Sequence, residues 1–105
     1  MIDLDAEQLE VVKRLLEEHV PDVEVRVFGS RVNSRSAPYS DLDLVLVGDS
    51  KIDIQTLESL KDAFSESDLS IQVDVIDWHA ISPNFRKSIE SQFEVLQLKK
   101  RQANH

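Results

Sequence analysis

Residues 41–47 read DLDLVLV, and no other stretch limits the fold as tightly. From Leu44 to Val47 every residue is apolar. A strand with two greasy faces must be covered on both, which places it in the interior of a sheet. Yet aspartate, a poor strand former, opens it twice. Side chains alternate along a strand, so Asp41 and Asp43 share a face and lie about 6.6 Å apart along it. At about 7 Å and an effective dielectric near 20, two carboxylates repel by about 2.4 kcal/mol. Arg31 and Arg35 are the nearest cations in sequence. A divalent cation relieves the repulsion more directly, and hard oxygen donors suit Mg²⁺.

The rest of the chain supplies a frame for this strand. Ala6–His19 has helical periodicity, with Leu9, Val12, Leu16 and His19 on one face, Asp5 as N-cap and Pro21 as terminator. VEVRVF (23–28) alternates as a half-buried strand. Ser30 is expected to cap a short helical turn over Arg31–Ser34. Residues 36–40 read as loop. A second helix is expected over 53–65, with Ile54, Leu57, Leu60 and Phe64 on its buried stripe. SIQVDVID (70–77) predicts a third strand. A short helix over 82–91 takes Ser82 as N-cap and Pro83 at its first position. FEVLQL (93–98) is a candidate last strand, and KKRQANH (99–105) is a polar tail. The fold class is α+β, a mixed α/β sheet flanked by helices, in one domain over residues 1–98.

A third carboxylate should reach the aspartate pair from a neighbouring strand. Asp74 and Asp77 are three residues apart, so they face opposite sides. Asp74 lies within its strand, where an unpaired aspartate is costly. Asp77 lies at the strand end, where water is expected. Asp74 is therefore the choice. Asp49 is excluded, being about 27 Å from Asp41 along an extended strand. Gly29-Ser30 ends the first strand as Asp41 and Asp43 open the second. If those strands are antiparallel neighbours, all four residues meet at one end of the sheet. Glycine lets backbone approach a phosphate closely, and serine brings a hydroxyl and free N–H groups. A phosphate cradle facing paired carboxylates is the geometry of two-metal phosphoryl or nucleotidyl transfer.

Composition narrows the partners. The net charge of −8 argues against a nucleic-acid-binding surface, although metal-bound nucleotide remains compatible with local carboxylates. The chain has no cysteine, which removes disulfides and thiolate zinc sites. The acidic start, MIDLD, lacks a signal-peptide pattern, and no apolar run reaches membrane-spanning length, so the cytoplasm is the expected compartment.

The pattern G29-S30-x10-D41-x-D43, followed by V73-D74-V75, resembles the signature of DNA-polymerase-β-type nucleotidyltransferases. FGSRV, YSDLDLVLV and VDVIDW all fit, and the short chain is similar to the minimal nucleotidyltransferases. Many of these relatives carry glycine where this chain has Ser34. The resemblance implies that Gly29 and Ser30 hold the triphosphate of ATP. It implies that Asp41 and Asp43 bind two Mg²⁺ ions and that Asp74 binds one of them and serves as general base. It also implies transfer of AMP to a hydroxyl, and a HEPN-domain toxin as partner, modified on tyrosine by its antitoxin. The missing helical acceptor domain of larger relatives points independently to a partner protein. Two rival readings are a nucleotide-binding module that neutralises its partner stoichiometrically, and a transferase for a small hydroxylated compound.

Other residues carry weaker expectations. Arg31 is a candidate phosphate contact, equally a salt-bridge partner of a cluster aspartate. Arg35 reads as a solvated charge, Tyr39 as a packed loop residue and Trp78 as a packed strand end. His19, His79 and His105 lack metal-ligand spacing and are assigned no chemistry.

Overall fold

The structure, a computed structural model, describes residues 2–32 and 40–99. Ser34, Arg35, Tyr39, His105 and most of the expected loop and tail lie outside the described residues. The order is α1 (Ala6–His19), β1 (Glu24–Phe28), β2 (Leu42–Val47), α2 (Ile54–Ser65), β3 (Val73–Asp77), α3 (Pro83–Ser91) and β4 (Glu94–Gln97). Single 3₁₀ turns follow β1 at Gly29–Arg31 and β3 at Trp78–Ala80.

Local chemistry sets the helix starts. Asp5 accepts the Gln8 N–H at 2.9 Å and Asp53 the Thr56 N–H at 3.3 Å. Ser82 Oγ accepts the Phe85 N–H at 3.1 Å, with Pro83 at the first helical position. Each bond satisfies a donor that the helix itself leaves unpaired.

The strand order is β3-β2-β1-β4. β2 is interior, as its two apolar faces require. It runs antiparallel to β1, pairing Phe28 with Asp43. It runs parallel to β3, pairing Asp43 with Asp74. β1 also pairs antiparallel with β4, with a register shift between Val25 and Arg26. A parallel neighbour requires a crossover, and α2 supplies it.

One sheet face carries the main core. Val25 and Val27 of β1, Leu42, Leu44 and Leu46 of β2, and Val75 of β3 pack with Val12 and Leu16 of α1 and Leu60 and Phe64 of α2. By alternation the other face carries Arg26, Phe28, Asp43, Val45, Asp74 and Ile76. α3 lies against this second face. Phe85 meets Phe28 edge-on, with ring centroids 5.9 Å apart, and Arg86 Nε donates to the Trp78 carbonyl at 2.9 Å.

Several expectations need correction. Ile54 is 72% exposed, at the overhanging start of α2, whereas Leu57 packs against the core and Leu60 and Phe64 are buried in it. β3 begins at Val73 rather than Ser70, and Asp41 lies just ahead of β2. Among the described residues Ser30 does not stand at a cap position. It lies inside the 3₁₀ turn, whose cap position is the extended residue Phe28. Gly29 at φ +80° lets the chain turn immediately at the strand end.

Leu44 is fully buried at the centre of this arrangement. Leu44→Ala should lower unfolding free energy by about 2–5 kcal/mol, read by urea denaturation.

Candidate active site

The second sheet face ends in a row of three strands' residues. Phe28 of β1, Asp43 of β2 and Asp74 of β3 are successive register partners. Neighbouring strands lie about 4.8 Å apart, so the two carboxylates rise from adjacent backbones on the same face. Asp41 stands ahead of β2 and is exposed, whereas Asp43 and Asp74 are half-buried. Burial, then the charge of Asp74 and then that of Asp41, push the Asp43 carboxyl above its ordinary value of 3.8. These three aspartates therefore form one electrostatic group, as their positions in the sequence predict.

Gly29 closes one side of this group. A β-carbon on Gly29 would lie 2.5 Å from Asp43 Oδ2, nearer than atoms can approach. The turn and the carboxylate share a gap that no side chain at 29 can enter. The Gly-Ser turn and the aspartates thus face each other at one end of the antiparallel β1/β2 pair.

Asp77 takes the opposite role. Water was the expected partner at the strand end, but Asp77 is only 4% exposed. Its carboxylate accepts the Ile52 N–H at 2.8 Å and the His79 N–H at 3.0 Å. The loop before α2 folds over it and satisfies it. Asp49 is likewise engaged elsewhere, 2.6 Å from Lys99 Nζ. His19 lies 2.9 Å from the Leu15 carbonyl and His79 2.7 Å from the Gly48 carbonyl. Trp78 is packed, with the Arg26 and Arg86 guanidinium carbons each 5.3 Å from its ring centroid.

Arg31 is 6% exposed, with its guanidinium on the carbonyls of Asp3 at 2.9 Å and Ser40 at 2.8 Å. Beside the carboxylates lies an open cavity of about 820 Å³, lined in part by Asp43, Asp74, Phe28, Phe85, Ile76 and Gln72. Gln72 Nε2 donates to Asp74 Oδ1 at 3.0 Å and orients it. Sequence reasoning missed Phe85 and Gln72. Gln72 shares strand parity with Asp74, a usable signal, but nothing local points Phe85 toward Phe28.

Among the described residues no three acidic or histidine side chains close into a ready metal cage. The donor set still fits a hard divalent cation. It consists of carboxylate oxygens that destabilise one another and face a gap without a side chain. Asp43 and Asp74 would hold the ion between β2 and β3, with Asp41 approaching from the strand entrance.

The family model for polymerase beta nucleotidyltransferases matches residues 10–102. The chain belongs to this nucleotidyltransferase family. A probable protein adenylyltransferase, MntA, of Haemophilus influenzae is 42% identical over 100 residues, which is 95% of this chain and 88% of that protein. The fold is similar to that of a toxin–antitoxin crystal structure with AMP-PNP, at TM-score 0.72 and 21% identity, covering 86% of this chain and 73% of that one. It is similar also to a complex of tri-AMPylated Shewanella oneidensis HEPN toxin with an MNT antitoxin, at TM-score 0.64 and 20% identity, covering 88% and 71%. The α+β expectation and the family resemblance both hold.

Two outcomes test this geometry. Gly29→Ala should cost about 1–2 kcal/mol of stability from the left-handed backbone alone, read by denaturation, while displacing the Asp43 carboxylate. Asp43→Asn should raise the melting temperature in metal-free buffer at neutral pH. The folded chain holds the Asp43 proton to higher pH than the unfolded chain does, so wild-type stability falls as pH rises through that raised pKa. The gap between variant and wild type should close on acidification through the same range, and saturating Mg²⁺ should stabilise only the wild type.

Proposed function

We propose that this chain is a Mg²⁺-dependent protein adenylyltransferase that moves AMP from ATP to a hydroxyl, a tyrosine, of a HEPN-domain toxin and so acts as its antitoxin. The observation that carries the reading is the register pairing of Asp43 with Asp74, directly opposite the Gly29-Ser30 turn. The name of the Haemophilus relative, at 42% identity, supports the acceptor class.

Gly29 permits close approach of backbone to the triphosphate, and Ser30 offers its hydroxyl and N–H. Asp41, Asp43 and Asp74 would hold two Mg²⁺ ions, which supply positive charge to the phosphates and to the developing oxyanions. Asp74, on the outer strand, faces the approaching acceptor and takes the proton from its hydroxyl. That oxygen forms a bond to the α-phosphorus as the bond from the α-phosphorus to the bridging oxygen of the β-phosphate breaks. Pyrophosphate leaves with the electron pair. Among the described residues α3, with Trp78 and Phe93 over Arg26, covers part of the second sheet face, and the partner protein supplies the remaining wall of the acceptor site.

Co-expression with the HEPN partner and intact-mass measurement tests this. The partner should gain one or more AMP units with wild type and none with the Asp41→Asn/Asp43→Asn double variant. An unmodified partner in a complex that survives EDTA would replace catalysis with stoichiometric binding. Transfer to a small hydroxylated compound without any partner would replace the acceptor.

A further inference from the structure

Two charged side chains are buried among the described residues, Asp77 and Arg31. Asp77 is accounted for by its loop. Arg31 is not used by the transfer chemistry, yet it directly follows the Gly29-Ser30 turn. Nη1 donates to the Asp3 carbonyl at 2.9 Å, and Nη2 donates to the Ser40 carbonyl at 2.8 Å. The Arg31 carbonyl in turn accepts the Asp3 N–H at 2.7 Å. One residue thus ties together three segments: the stretch before α1, the turn after β1 and the residue immediately before Asp41.

The chemistry of the group makes this tie specific. Guanidinium presents its donors in a fixed planar fork, so two carbonyls bound to its two terminal nitrogens are held at a set separation. Each donor of a buried cation that is left unbonded costs stability. Displacing Ser40 would strand one of them, which makes the Ser40 position resistant to movement. Asp41 is exposed and lies just ahead of the β2 ladder, so the sheet holds it from one side only, through the Leu42 N–H on the Gln72 carbonyl at 2.9 Å. Its nearest fixed neighbour on the N-terminal side is Ser40.

We infer that Arg31 is a positioning residue, which locks the backbone ahead of Asp41 to the phosphate-binding turn and so presents Asp41 to the metal. It acts through two main-chain carbonyls and does not touch the nucleotide. This rests on the reading of Asp41 as a metal ligand, and the test separates the two.

The test is a titration of the full chain with Mn²⁺ alone, followed by paramagnetic resonance, for wild type, Arg31→Ala, Arg31→Lys and Asp43→Asn. Arg31→Ala should weaken Mn²⁺ binding by about tenfold or more, as loss of an outer-shell support does. Arg31→Lys keeps the charge but not the fork, and should fall between. In transfer assays at saturating Mg²⁺ both variants should recover rate, with the KM for ATP within about twofold of wild type. Unchanged Mn²⁺ affinity would overturn the inference. So would a KM for ATP that rises at saturating metal, the signature of a direct phosphate contact. Mn²⁺ binding that persists in Asp43→Asn would remove the metal reading itself, and this inference with it. Should the variants not fold, the wild type answers alone: Mg²⁺ should slow hydrogen exchange at the Asp3 amide, and an unchanged rate would overturn the tie between the segments.

Discussion

The parallel pairing of β2 with β3 is the contact on which the rest depends. It places Asp43 beside Asp74 on one face while Leu42, Leu44, Leu46 and Val75 fill the core on the other. The carboxylates repel, and burial of Asp43 adds to the penalty. What holds them together is apolar packing a few ångströms behind. Several wholly buried aliphatic side chains, each contributing about 1.5–3 kcal/mol on transfer from water, outweigh one unfavourable charge pair. The unfavourable energy is thus concentrated at the carboxylates, on the face away from the core.

Asymmetry between the two sides of the sheet follows. α1 and α2 seal one side. α3 covers only part of the other, leaving an open cavity beside the aspartates. No helix among the described residues is long and apolar enough to cross a membrane. Phe28, Asp43 and Asp74 line that cavity, and Gly29 stands against Asp43.

Much of this was legible in the sequence because it depends on alternation and caps. Asp41, Asp43 and Asp74 stand out as charges where strands should be apolar, and parity assigns their face. Asp5, Asp53 and Ser82 announce helix starts through local bonds. What was illegible depends on contacts distant in sequence. The burial of Asp77 requires the Ile52 loop, 25 residues away. The Phe28–Phe85 wall requires α3 to cross the second face. Ile54 fits the helical period, but period alone does not say how far a helix overhangs its sheet. Ser30 looked like a cap because serine often is one, yet the positive φ of Gly29 turned the chain two residues sooner.

Phe28, Asp43 and Asp74 form a row across three strands, at right angles to the chain direction. Sliding β2 or β3 by a single residue would turn its aspartate into the core and a leucine or valine into the cavity. The same slip that dismantles the row of carboxylates would therefore dismantle the hydrophobic interior. Misaligned chains cannot persist as folded molecules with half a site. For this protein, quality control of the fold is also quality control of the enzyme.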